Sequence, residues 1–136
     1  MTAKQSPSVI IVDDDTDTIE IFEEYLKMEK IPVLAKGYDG KQAAELYERH
    51  RPDVVLLDIM MPEYDGFYAI ERIREADPNS KFVILTADIT EGTKARLEKV
   101  NSAAVLYKPY EIDEIVRVLK EMGGGEMLIL SENGAA

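Results

Sequence analysis

The sequence predicts an α/β fold: a doubly wound, five-stranded parallel sheet with helices on both faces. Two observations carry the architecture. Five short apolar runs alternate with five stretches of helical spacing, and that alternation produces parallel sheets covered by helices. The central run, Val54-Val55-Leu56-Leu57, is apolar without interruption, as in a strand buried on both faces. A third observation locates the function. Val9–Val12 ends in Asp13-Asp14-Asp15, the central run ends in Asp58, Phe82–Leu85 ends in Thr86, and Ala103–Tyr107 ends in Lys108. In open α/β sheets this carboxyl edge is where ligands bind. A carboxylate at the end of a buried strand is costly to place unless something uses it.

The elements follow in order. Residues 1–8 are expected to be a flexible polar lead-in to the first strand, Val9–Val12. Asp13–Asp17 is rich in helix-capping residues and opens a first helix from about Thr16 to Glu29. Ile19, Phe22 and Leu26, with Ile21, Tyr25 and Met28, give that helix a broad apolar stripe. Ile31-Pro32-Val33-Leu34-Ala35 reads as the second strand, and its proline assigns it to an edge. A turn at Gly37–Gly40 leads to a second helix, Lys41 to Arg49, with Ala43, Ala44, Leu46 and Tyr47 facing inward. After the Asp58 strand, Met61–Gly66 is a loop containing an Asp-Gly turn signal. Phe67, Ile70 and Ile73 mark the third helix, which stops before Asp77-Pro78-Asn79. The fourth helix, Glu91–Val100, has few apolar positions, and Asn101 is expected to close it in a left-handed conformation. Ile112, Ile115, Val116 and Leu119 stripe the fifth helix, which Gly123-Gly124-Gly125 ends. The domain is thus 9–122, followed by a Gly-rich tail, 123–136, with an apolar Met127–Leu130 segment.

Composition narrows the class. A length of 136 residues is one domain, and 46% hydrophobic residues supply a real core. There is no cysteine, which fits a reducing cytoplasm. No apolar run approaches the roughly 20 residues of a membrane helix, and residues 1–8 lack a signal-peptide core. A net charge of −11 opposes direct nucleic-acid binding, which depends on attraction to phosphate.

Each polar residue has a plainer reading when taken alone. Asp13–Asp17 can simply cap a helix, Asp58 can cap a loop, Lys108 can be a solvated lysine, and Thr86 is an ordinary strand residue. Two motif matches fail on their details. Asp13, Asp15, Asp17 and Glu24 imitate a calcium-binding loop, but Thr18 stands where that loop needs glycine. Asp13-x-Asp15 resembles the start of a haloacid-dehalogenase-type phosphatase, but Asp17 stands where that motif wants threonine.

Taken together and in order, Asp13-Asp14, Asp58, Met61-Pro62, Asp65-Gly66, Thr86-Ala87 and Lys108-Pro109 resemble the receiver domains of response regulators, the phospho-acceptors of two-component signalling. The match runs from about Val9 to Met122. It implies a flavodoxin-like sheet with strand order 2-1-3-4-5. The chemistry of the residues agrees. Three carboxylates brought together repel unless a cation sits among them. Mg2+ suits such a site because it takes oxygen ligands and shares its sphere with phosphate. A carboxylate so placed can attack phosphorus. Lys108 offers a point charge, and Thr86 a hydroxyl, to the transferred group.

The resemblance then assigns roles. Asp58 is implied to be phosphorylated, Asp13, Asp14, Asp58 and the Met60 carbonyl to hold Mg2+, and Thr86 and Lys108 to hold the phosphoryl group. A cis Lys108-Pro109 bond is implied as well. The donor would be a histidine kinase or a histidine phosphotransfer protein. The fourth helix, fifth strand and fifth helix would shift together and present a changed surface to a downstream output protein or domain, or to a second copy in a phosphorylation-dependent homodimer. Such a module turns over only its own phosphoryl group. The competing readings are an aspartate-nucleophile phosphatase using Asp13 and an unphosphorylated interaction module of the same fold. The chain leaves no room for an output domain, so it is expected to be a stand-alone receiver or a piece of a longer regulator. One position departs from the family. The aromatic residue often found three before the lysine is Val105 here, while Tyr107 lies two residues on, on the same strand face by alternation. Met60 and Asp88 occupy positions that in this family tune loss of the phosphoryl group.

Overall fold

The computed structural model describes residues 6–122. Five strands, β1 (Val9–Val12), β2 (Val33–Gly37), β3 (Val54–Asp58), β4 (Phe82–Thr86) and β5 (Ala104–Tyr107), alternate with five helices. The helices are α1 (Thr16–Met28), α2 (Gly40–His50), α3 (Gly66–Ala76), α4 (Glu91–Val100) and α5 (Ile112–Met122). The strands form one sheet in the order β2-β1-β3-β4-β5, with every pairing parallel. This is the expected doubly wound architecture.

Side-chain alternation in the strands creates two cores. Ile10, Val12, Val55, Leu57, Phe82 and Ile84 point to the face covered by α2, α3 and α4. Val9, Ile11, Val54, Leu56, Val83 and Leu85 point to the face covered by α1 and α5. Every side chain of β1, β3 and β4 is buried, which accounts for their uninterrupted apolar runs. Burying each Val, Leu or Ile is worth about 1.5–3 kcal/mol against leaving it exposed, so these strands anchor the fold.

The helix starts follow local chemistry. Asp15, Asp39, Asp65 and Thr90 are the N-caps of α1, α2, α3 and α4, each accepting a hydrogen bond from a first-turn amide. Asn101 closes α4 at φ 57°, as expected, and Arg51 closes α2 at φ 44°. Among the described residues no helix is long and apolar enough to cross a membrane.

Two expectations are revised. The second strand starts at Val33, not Ile31. Lys30 turns left-handed at φ 64°, and the Ile31 amide returns to the Leu26 carbonyl, so Ile31 plugs the end of α1 as a buried core residue. β2 is still an edge strand, with Pro32 just ahead of it. The apolar stripe of α1 is narrower than expected, because Ile21 and Met28 are 60% and 73% exposed while Ile19, Phe22 and Leu26 are buried. Contacts with the domain are also made before β1 begins. Pro7 is buried, and Ser8 exchanges hydrogen bonds with Asp53, its amide donating to Oδ2 at 2.9 Å and its Oγ accepting from the Asp53 amide at 3.0 Å. Residues 1–5 of the expected lead-in, and all of the 123–136 tail, lie outside the described residues.

Candidate functional site

The parallel register brings the strand ends together. Val12 pairs with both Gly37 and Leu57, Asp58 pairs with Leu85, and Thr86 pairs with Tyr107. Asp13, Asp58, Thr86 and Lys108 therefore emerge at one edge of the sheet, from four adjacent strands. Asp13, Asp14 and Asp58 each present a carboxylate oxygen within 4.8 Å of the other two. Asp13 is 3% exposed and Asp58 6%, while Asp14 opens to solvent.

Backbone amides hold the two buried acids in place. Asp13 Oδ1 accepts from the Asp15 amide at 2.9 Å, and Asp58 Oδ1 accepts from the Met60 amide at 3.1 Å. Those bonds favour the charged forms, but burial outweighs them. Asp13 is pushed up from 3.8 to about 7, chiefly by desolvation and then by the negative charge of Asp58. Asp58 is raised as well, again chiefly by burial. The Lys108 ammonium pulls both acids the other way. Among the described residues it makes no contact ion pair, so it acts across a gap.

Three converging carboxylates are a donor set for a hard divalent cation, and the all-oxygen chemistry fits Mg2+. Met60 lies on the rim, its backbone turned onto Asp58 and its side chain exposed. Thr86 is fully buried, and its Oγ1 accepts from the Asp88 amide at 2.9 Å. The Lys108 amide donates to the Thr86 carbonyl at 2.8 Å, and the Lys108-Pro109 peptide is cis. All six residues singled out in the sequence are thus brought to one edge.

The structure adds residues that sequence patterns missed. Tyr110 is half-buried with its ring 6.4 Å from that of Phe22. Its hydroxyl is pushed up to about 12, first by burial and then by the charges of Asp13 and Asp58, which places it in the field of the acid cluster. The only sequence signal was its place two residues after Lys108. Asp65-Gly66, read as a turn, does more. Asp65 caps α3, and a Cβ on Gly66 would sit 2.7 Å from Ile59 Cα and 2.9 Å from the Asp58 carbonyl oxygen. Glycine there lets α3 start directly against the end of the Asp58 strand. Val105 packs into the core on the α2–α3–α4 face, while Tyr107 is exposed and lies outside that core.

Comparison with known proteins places this geometry among relatives. The family model described as response regulator receiver domain matches residues 9–120. The chemotaxis protein CheY of Listeria monocytogenes is 29% identical over 113 residues, which is 83% of this chain and 95% of that protein. A chain from the crystal structure of the CheX-CheY-BeF3-Mg+2 complex of Borrelia burgdorferi matches with a TM-score of 0.75 at 26% identity, covering 82% of this chain and 84% of that one. The receiver domain of Francisella response regulator 1452 matches with a TM-score of 0.73 at 31% identity, covering 82% and 93%.

Proposed function

Because this chain belongs to the response regulator receiver domain family, we propose that it is the phospho-acceptor of a two-component phosphorelay, with Asp58 as the accepting residue. The single observation that carries the reading is the convergence of Asp13, Asp14 and Asp58 at the carboxyl edge of the sheet, on the strand ends that also carry Thr86 and Lys108.

In this reading a carboxylate oxygen of Asp58 attacks the phosphorus of a phosphohistidine on a histidine kinase or histidine phosphotransfer protein. A new O–P bond forms, the P–N bond breaks, and the imidazole leaves with the bonding electron pair and takes a proton. The Met60 amide on Asp58 Oδ1 orients the nucleophile. Lys108 neutralises developing charge on the phosphoryl oxygens, and the Thr86 hydroxyl donates to one of them. Asp13, Asp14, Asp58 and the Met60 carbonyl would hold Mg2+. When bound, the ion supplies charge neutralisation at the acid cluster and to the transferred group. Later hydrolysis of the aspartyl phosphate resets the module, so it is a signalling device rather than a turnover enzyme. The complex of the Borrelia relative contains BeF3 and Mg2+, which supports the same ligands here.

Phosphorylation adds roughly −1.5 to −2 charges at Asp58. Thr86 moves to that charge, and the surface formed by α4, β5 and α5 changes for the output partner or for a second copy of the chain. The setting is the cytoplasm, where the chain meets neither nucleic acid nor membrane directly.

Intact mass after incubation with acetyl phosphate tests the reading, with and without Mg2+, in wild type and Asp58→Asn. A gain of one phosphoryl group that needs both Mg2+ and Asp58 is expected. No gain under any condition, or a gain that persists in Asp58→Asn, overturns the assignment.

A further inference from the structure

α4 is lightly attached to the body of the domain. Leu97 is its one buried residue, and side-chain hydrogen bonds tie down its two ends. At the carboxyl end, Arg74 Nη1 donates to the Val100 carbonyl at 2.6 Å and Nη2 to the Asn101 carbonyl at 3.4 Å. Its Nε donates to Ser80 Oγ at 3.1 Å, and its guanidinium lies 5.1 Å from the Phe82 ring centroid. That end is fixed to α3 and to the start of β4.

The amino end is tied differently. Asp88 Oδ1 accepts from the amide of Thr90, the N-cap of α4, at 2.9 Å, and Asp88 Oδ2 accepts from the Thr93 hydroxyl at 2.7 Å. The Asp88 amide donates to Thr86 Oγ1 at 2.9 Å. One residue thus holds the first turn of α4 with its side chain and the buried Thr86 hydroxyl with its backbone. Thr86 Oγ1 cannot swing away from the β4–α4 loop without giving up the Asp88 amide. Asp88 and Thr93 also line a cleft of about 420 Å³ beside Met60, Phe67 and Arg96, so the first turn borders open space.

We propose that Asp88 is a latch: a positioning residue that joins the Thr86 hydroxyl to the first turn of α4, so that capture of a phosphoryl group by Thr86 and release of the amino end of α4 are one event. This rests on the phospho-acceptor reading of Asp58. The Arg74 clamp makes the motion a swing about Val100–Asn101 rather than a shift of the whole helix. Thr93 is the second half of the latch, because its hydroxyl is the helix's own side-chain grip on Asp88.

Thr93→Val tests the latch, since it removes the hydroxyl but keeps the branched shape and the Thr93 amide that Thr90 Oγ1 caps. Thr93→Ser, which keeps the hydroxyl, is the rescue control. In the unphosphorylated, metal-free protein, hydrogen exchange at the Asp88 and Thr90 amides is expected to rise about five-fold in Thr93→Val, the loss of one ordinary hydrogen bond. The β4 amides should stay as protected as before, and Thr93→Ser should match wild type. An unchanged Asp88 amide overturns the latch, whatever the chain's chemistry. With acetyl phosphate and Mg2+, intact mass should show Thr93→Val gaining its phosphoryl group about three- to five-fold faster than wild type. Equal rates, with the mass gain intact, overturn the coupling to Thr86 while leaving Asp58 as the acceptor. No mass gain in any protein removes the phospho-acceptor reading, and the latch falls with it.

Discussion

Neutralising Asp13 should stabilise the metal-free protein at alkaline pH. The Asp13 carboxyl is 3% exposed and is pushed up from 3.8 to about 7, with burial the first cause and the charge of Asp58 adding to it. The native state therefore binds this proton more tightly than the unfolded chain does. Its contribution to stability is complete below about pH 4, is lost as pH rises from about 4 to about 7, and is absent above. A gap of about three pH units corresponds to about 4 kcal/mol as a ceiling. Solvent reaches the cluster through Asp14, and screening lowers the expected figure to about 1–2 kcal/mol. The amide side chain of the Asp13→Asn variant keeps an oxygen to accept the Asp15 amide, so the substitution removes the charge without stranding that donor.

The assay is urea unfolding followed by far-ultraviolet circular dichroism in EDTA, since the chain has no tryptophan. Near pH 4 the variant and wild type should be nearly equal. By pH 8 the variant should be more stable by about 1–2 kcal/mol, a rise in Tm of several degrees for a domain of this size. Saturating Mg2+ should reverse the order, because the ion stabilises the native state of wild type and the neutral variant would bind it poorly. A variant no more stable than wild type at pH 8 in EDTA would refute the reasoning. So would a gain that does not depend on pH.

On the proposed reading, with Asp13 a ligand to Mg2+, the same proton governs the metal. Mg2+ must displace it from Asp13, so calorimetric affinity should climb by up to about ten-fold per pH unit below about pH 7 and level off above; a flat profile from pH 5 to 8 would show that Asp13 is not a ligand. Gly66→Ala forces a Cβ against Ile59 Cα and the Asp58 carbonyl oxygen. It should destabilise by about 2–4 kcal/mol and slow phosphorylation of Asp58, and urea midpoints within error of wild type would contradict it. Arg74→Ala strips the hydrogen bonds by which α3 ties the end of α4, at the Val100 carbonyl, to Ser80. A loss of about 2–3 kcal/mol is expected, with hydrogen exchange accelerated at the end of α4. Arg74→Lys should not restore it, because a lysine cannot span the fork that the guanidinium spans.

Much of this molecule was already legible as pattern. The uninterrupted runs of β1, β3 and β4 declare strands buried on both faces, because period and hydrophobicity are local properties. Asp13, Asp14, Asp58, Thr86 and Lys108 could be picked out because each stands at the end of such a run, and parallel strands must bring their carboxyl ends to one edge. Pro32 marked the edge strand, and Asn101 marked the left-handed end of α4.

Tertiary contact decided the rest. Whether Ile31 extends a strand or plugs the end of α1 depends on a turn at Lys30 and on the Leu26 carbonyl within reach of its amide, and an apolar residue beside valine and leucine reads alike in both settings. Ile21 and Met28 share the helical spacing of the α1 stripe, but only Ile19, Phe22 and Leu26 have a sheet to meet. Gly66 looks like a turn glycine until the end of β3 is set against its α-carbon. Asp88 looks like a loop acid until Thr86 and Thr93 close on either side of it. Sequence by itself determined which segments form strands and helices and which polar residues end them, since chain periodicity encodes both. Only the packed structure decided how close those ends come, which acids burial pushes up and which hydroxyls are tied to which helix. Those properties depend on distances between segments far apart in the chain.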